Sequence, residues 1–120
     1  MSKNEIPSIL MDFIEKDTRF LFRSLKKRAG IKSTVIMTGR KKIGRSKLLP
    51  EEVLRIQYAY CAYAILSREN GHKFAENWLL KGNIYMRNPA LAIRNYPSDK
   101  LFLVMNAVMN CVKAGRGIIP

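Results

Sequence analysis

Apolar side chains recur every three to four residues along nearly all of this 120-residue chain, and no stretch of useful length alternates apolar with polar. A strand with one face in water needs a period of two, whereas a helix with one face in a core needs a period of 3.6. The spacing therefore predicts an all-α fold, a small helical bundle around the one modest core that a single domain of this length supports.

The stops and starts divide that pattern. Ile9, Leu10, Phe13 and Ile14 make a first amphipathic stripe after Pro7, and Asp17 or Thr18 caps a second helix carrying Phe20, Leu21, Phe22 and Leu25 up to Gly30. Residues 33–38 form a short helix candidate that opens on a hydroxyl, although Thr34, Val35, Ile36 and Thr38 are β-branched. Pro50-Glu51-Glu52 is a stronger start, with proline pre-set for the first turn and two carboxylates at the positive end of the helix dipole. Leu54, Tyr58, Cys61 and Ile65 follow at helical spacing to Gly71, with Ala59, Ala62 and Ala64 allowing close approach, so this segment is expected to be the central helix. Phe74, Trp78 and Leu79 mark a short helix, Gly82, Asn83, Asn88 and Pro89 an irregular connector. Ser98 and Asp99 are placed to cap a last helix that turns Leu101, Val104, Met105, Val108 and Cys111 inward and stops at Gly115.

Composition narrows the class. Cys61 and Cys111 sit in apolar helical patterns without a Cys-x-x-Cys or Cys/His cluster, which predicts buried, reduced thiols and no metal. No apolar run reaches the roughly 18 residues of a spanning helix, and residues 1–7 lack the basic-then-apolar order of a signal peptide, so a soluble, cytoplasmic protein with no membrane partner is expected. Catalysis draws on histidine, paired carboxylates or an activated nucleophile. The one histidine, His72, follows Gly71 where a capping or solvent-exposed role explains it, Glu51 and Glu52 answer to the helix dipole, and the glycines form no phosphate-binding loop. A non-enzyme without a cofactor is the expectation.

Charge supplies the functional signal. From Arg19 to Lys47 the chain carries eleven Lys or Arg and no Asp or Glu, within a net charge of +13. Solubility of a small domain needs a net charge of about 2 to 8, so the excess points to a polyanion, with a merely solvated basic face as the bland alternative. Lys32, Ser33 and Thr34 at a helix start, then Arg40, Lys41, Lys42, Arg45 and Lys47, are the candidate DNA contacts, because helix-start N–H groups, short hydroxyls and cations suit phosphate. RNA stays open, as does a membrane-surface role for the Arg19–Arg28 segment.

The order of features resembles the toxin-binding antitoxins of the Xre, MbcA and ParS type over about residues 28–117. In that family a degenerate helix-turn-helix leads into a helix start that here reads Leu49-Pro50-Glu51-Glu52-Val53-Leu54-Arg55-Ile56. An alanine-rich helix, Trp78-Leu79, Asn88-Pro89-Ala90-Leu91, Pro97 and Gly115 or Gly117 continue the match. The family usually has a Gly-Gly-x-x-Pro turn where this chain has residues 92–97, and residues 80–87 make a longer spacing. The resemblance implies a basic helical region over 1–47, with a helix-turn-helix and dimerisation, and a toxin-binding helical domain over 48–120. It also implies an antitoxin that blocks a NAD-consuming toxin and binds operator DNA.

Trp78, Tyr85, Asn88, Arg94 and Tyr96 are the candidate partner contacts, since aromatics and Arg anchor interfaces, while Trp78 at helical spacing from Phe74 also fits a core. Gly115, Arg116 and Gly117 open a tail suited to entering a pocket in extended form, or to fraying. A helix-turn-helix protein would act as a two-fold dimer on a palindromic operator, here through Ile9–Ile14 and Phe20–Leu25. A small basic regulator without a toxin, and a purely structural interaction module, are the alternatives.

Overall fold

The structure, a computed structural model, describes residues 17–44 and 48–117. Six α-helices make up these residues: α1 (Thr18–Ala29), α2 (Ile31–Thr38), α3 (Pro50–Asn70), α4 (His72–Lys81), α5 (Pro89–Asn95) and α6 (Phe102–Gly117), with a single 3₁₀ turn at Ser98–Lys100. The expected all-α class is what forms, and no strand occurs among the described residues.

Each start has a local cause. Asp17 Oδ1 accepts from the Arg19 N–H at 2.7 Å and opens α1. Leu21, Phe22, Leu25 and Ala29 then fall on one buried stripe, and Lys26, Lys27 and Arg28 occupy the last turn, where cations meet the carbonyl end of the dipole. In α3, Pro50 holds the first turn and the Glu52 carboxylate reaches back to the Leu49 N–H at 3.1 Å.

Helix α3 is the central element and packs against every other helix. Residues 59–66 are all buried, so its middle is enclosed on every side rather than along one stripe. Small Ala59, Ala62 and Ala64 let neighbours approach, while Tyr60, Tyr63, Ile65 and Leu66 fill the space between. Each large apolar side chain so buried contributes about 1.5–3 kcal/mol relative to exposure. The core runs without a break from Leu21 to Val112, so α1 and α2 share it with α3–α6.

Three boundaries differ from expectation. Helix α2 starts at Ile31 rather than Ser33, because the Gly30 carbonyl already accepts from the Thr34 N–H at 3.2 Å. Asn88-Pro89-Ala90-Leu91 belongs to a helix, not to an irregular connector: Pro89 opens α5 and buries against the core with Ala90, Ala92 and Ile93. Ser98 and Asp99 form the 3₁₀ turn, and α6 runs through Gly115 to Gly117 instead of stopping. Nothing lies within 4 Å of a Cβ at Gly115, so no neighbour forces the chain to turn there. The Ile9–Ile14 stripe lies outside the described residues. Of the companion stripe, Leu21, Phe22 and Leu25 are in the chain's own core and not on a surface where the expected dimer contact could form.

Candidate nucleic-acid and partner-docking surfaces

The cationic surface is built on α1, α2 and the loop after them. Arg23 and Lys27 stand exposed one turn apart on α1, beside Lys26 and Arg28, and Lys32 is exposed at the start of α2. The loop turns on Gly39, whose left-handed backbone (φ 78°) carries the chain off α2 with its N–H on the Val35 carbonyl at 2.8 Å. Lys41 and Lys42 follow, exposed. Arg19 Nε donates to the Gly44 carbonyl at 3.1 Å, fastening the far end of the loop to the first turn of α1. Among the described residues Arg23, Lys26, Lys27, Arg28, Lys32, Lys41 and Lys42 have no acidic partner.

Several candidate DNA contacts are placed otherwise. Ser33 (5 % exposed) and Thr34 (1 %) face the core, because the buried face of α2 includes them along with Met37 and Thr38. Thr34 Oγ1 donates to the Gly30 carbonyl at 2.8 Å, and Thr38 Oγ1 to the Thr34 carbonyl at 2.7 Å. Short hydroxyls thus satisfy themselves one turn back and become tolerable in a core. Arg40 is half-buried and donates through Nε to Glu52 at 2.8 Å, pinning the loop to α3. That hydrogen bond, with the one from Leu49 N–H, holds the Glu52 carboxyl below the usual carboxylate range. Arg45 and Lys47 lie outside the described residues.

The partner candidates scatter too. Trp78 is in the core, 4 % exposed, with its indole N–H lacking a hydrogen-bond partner among the described residues, so it supports α4 from inside. Arg94 is exposed and lies over Gly39 on the cationic side, with its Nε 3.1 Å from where a Cβ of residue 39 would stand. Asn88 and Tyr96 do come together, lining a shallow concavity of about 270 Å³ with Met86, Arg87, Leu91 and Asn95. Half-buried Tyr85 belongs to the turn before it. Gly115 sits in the last part of α6, and the α6 backbone extends through Arg116 and Gly117.

The turn that leads into this concavity is rigidly made. Gly82 adopts φ 82°, and a Cβ there would stand 2.0 Å from the Arg87 carbonyl oxygen. The Asn83 side chain donates to the Trp78 carbonyl at 3.1 Å and accepts from the Tyr85 and Met86 N–H groups at 2.7 and 3.1 Å, while the Asn83 N–H bonds the Met86 carbonyl. Ile84 is thereby held out at the tip, 92 % exposed, and Leu91 is exposed on α5. Neither is among the partner contacts expected from the sequence, because isolated apolar residues carry no periodic signal there.

A polar chain was also missed. The Tyr63 hydroxyl donates to the Arg28 carbonyl at 3.1 Å and hydrogen-bonds His72 Nδ1, whose Nε2 faces Glu76 at 3.6 Å. The arrangement ties α1, α3 and α4 together at one corner, and burial pushes the Tyr63 phenol upward, with the nearby Glu76 charge adding to it. Burial alone pushes the Cys61 thiol up to about 12. No helix among the described residues is long and apolar enough to cross a membrane, and no three His, Cys, Asp or Glu side chains there are grouped so as to hold a metal ion. No family model matches this chain, and no curated protein or solved structure does so either.

Proposed function

We propose that this chain is the antitoxin of a toxin–antitoxin pair, holding nucleic acid on the cationic face of α1, α2 and the Gly39–Gly44 loop while the segment from Gly82 to Pro97 docks the toxin. The observation that carries the reading is the cationic face: seven exposed or half-exposed Lys and Arg without an acidic partner among the described residues. Keeping so many like charges unneutralised costs a folded chain self-repulsion, which a polyanion relieves by displacing counterions. The docking half draws support from a rigid turn that presents Ile84 next to a concavity rimmed by Leu91, Asn88 and Tyr96. The toxin of such a pair is a NAD-consuming enzyme in the resembling family, and that identity comes to this chain through the resemblance alone.

One observation favours a small basic regulator without a toxin. With Trp78 in the core and Gly115 inside α6, two features assigned to toxin blocking are used in the fold itself. Fluorescence anisotropy of labelled duplex DNA titrated with the full chain over a salt series tests the shared part of both readings. Binding that weakens steeply with salt supports it, and absence of binding at low salt removes it.

A further inference from the structure

A helix-turn-helix protein reads bases with the polar side chains of its second helix. On α2 that equipment is missing: the exposed residues are Ile31 and Lys32, Val35 and Ile36 are half-buried, and Ser33, Thr34, Met37 and Thr38 face inward. Its two threonine hydroxyls are committed to carbonyls one turn back. Lys32 remains, a single flexible point charge where a recognition helix presents about three or four side chains to base edges.

Cations, by contrast, converge from three segments. Arg94 on α5 lies over Gly39 at the end of α2. Lys41 and Lys42 come next along the loop, and the Arg19–Gly44 hydrogen bond joins that loop to the start of α1. Arg23 and Lys27 continue on α1, with Cβ atoms roughly 6 Å apart, about the advance of two phosphates along one strand of a duplex.

We infer that Arg94, Lys41, Lys42, Arg23 and Lys27 form one track for a phosphodiester backbone, and that this track binds nucleic acid without reading its sequence. The inference rests on the nucleic-acid reading above and changes its mode, from operator recognition by α2 to backbone binding beside it. It also moves Arg94 from the toxin to the nucleic acid.

Anisotropy with the full chain, two duplexes of unrelated sequence and an RNA hairpin of matching length tests it, the hairpin arm distinguishing RNA from DNA as the source of the phosphates. Affinities for the two duplexes agree within about threefold, and five neutralised phosphates give a log–log salt slope of about −4.5 on duplex DNA. Arg94→Gln reduces the slope by about 1, and Lys41→Gln with Lys42→Gln by about 2, equally for both sequences. These positions are exposed, and thermal melts verify that the variants fold. A preference of about a hundredfold between unrelated sequences, or an unchanged slope in Arg94→Gln, overturns the track and leaves nucleic-acid binding standing. Absence of binding to every probe overturns both.

Discussion

The residues from Arg19 to Gly44 and those from Gly82 to Pro97 are both surface-forming segments laid over one core, yet they are built by opposite means. The first gains its character from charge that stays outside: its helices bury apolar stripes, and Lys and Arg project because their burial would be costly. The second gains its character from backbone geometry: Gly82 and Asn83 fix a turn, Pro89 opens a helix, and apolar Ile84 and Leu91 are held in water as a result. A charged surface tolerates many single substitutions, since each cation adds an increment. A geometric surface depends on one or two residues.

Variants can break that contrast. The largest effect is expected below both segments: Trp78→Ala empties part of the shared core and lowers stability by about 3–5 kcal/mol in denaturant unfolding. If the melt barely moves, Trp78 is a surface anchor after all and its placement in the core is wrong. Next comes Gly82→Ala, where a methyl meets the Arg87 carbonyl and a positive φ is imposed on alanine. A loss of about 1–3 kcal/mol is expected, whereas Lys41→Gln, on the charged surface, changes stability by no more than about 0.5 kcal/mol. Equal losses in the two variants would erase the distinction.

A smaller, pH-dependent effect concerns the tether that pins the charged segment to α3. The Arg40 hydrogen bond depresses the Glu52 pKa, so its stabilisation is present above the ordinary carboxylate value of about 4.3 and is lost as pH falls through the depressed folded value. The advantage of the wild type over Glu52→Gln is therefore about 0.5–1 kcal/mol at neutral pH and vanishes in acid, read from thermal melts at the two pH values. An advantage that grows in acid contradicts the ion pair.

What was legible in the sequence follows the same contrast. Five of the six helices from residue 18 onward, the central role of α3 and the cationic run were readable, because apolar period and charge are local properties, while the short α5 was hidden by its opening Asn88-Pro89. The burial of Ser33 and Thr34 was not legible because a short hydroxyl on the core face of a helix, such as Thr34 bonding the Gly30 carbonyl, is indistinguishable in sequence from one turned to phosphate. That Arg94 lies over Gly39 could not be read, because its position depends on α5 packing against α2, a contact between segments some fifty residues apart. The ordered turn at Gly82-Asn83 reads in the sequence only as a break, since a turn residue signals where the chain bends and not what the bend presents. The Tyr63–His72 pairing needed α4 folded back on α3.

The most direct test of the division of labour is a pull-down of the protein encoded beside this chain, run with Ile84→Asp and with Lys41→Gln/Lys42→Gln, each also titrated with duplex DNA. The account predicts that Ile84→Asp loses the partner and keeps the DNA, and that the lysine pair keeps the partner and weakens the DNA. Loss of both ligands in either variant, in protein whose thermal melt is unchanged, would contradict it.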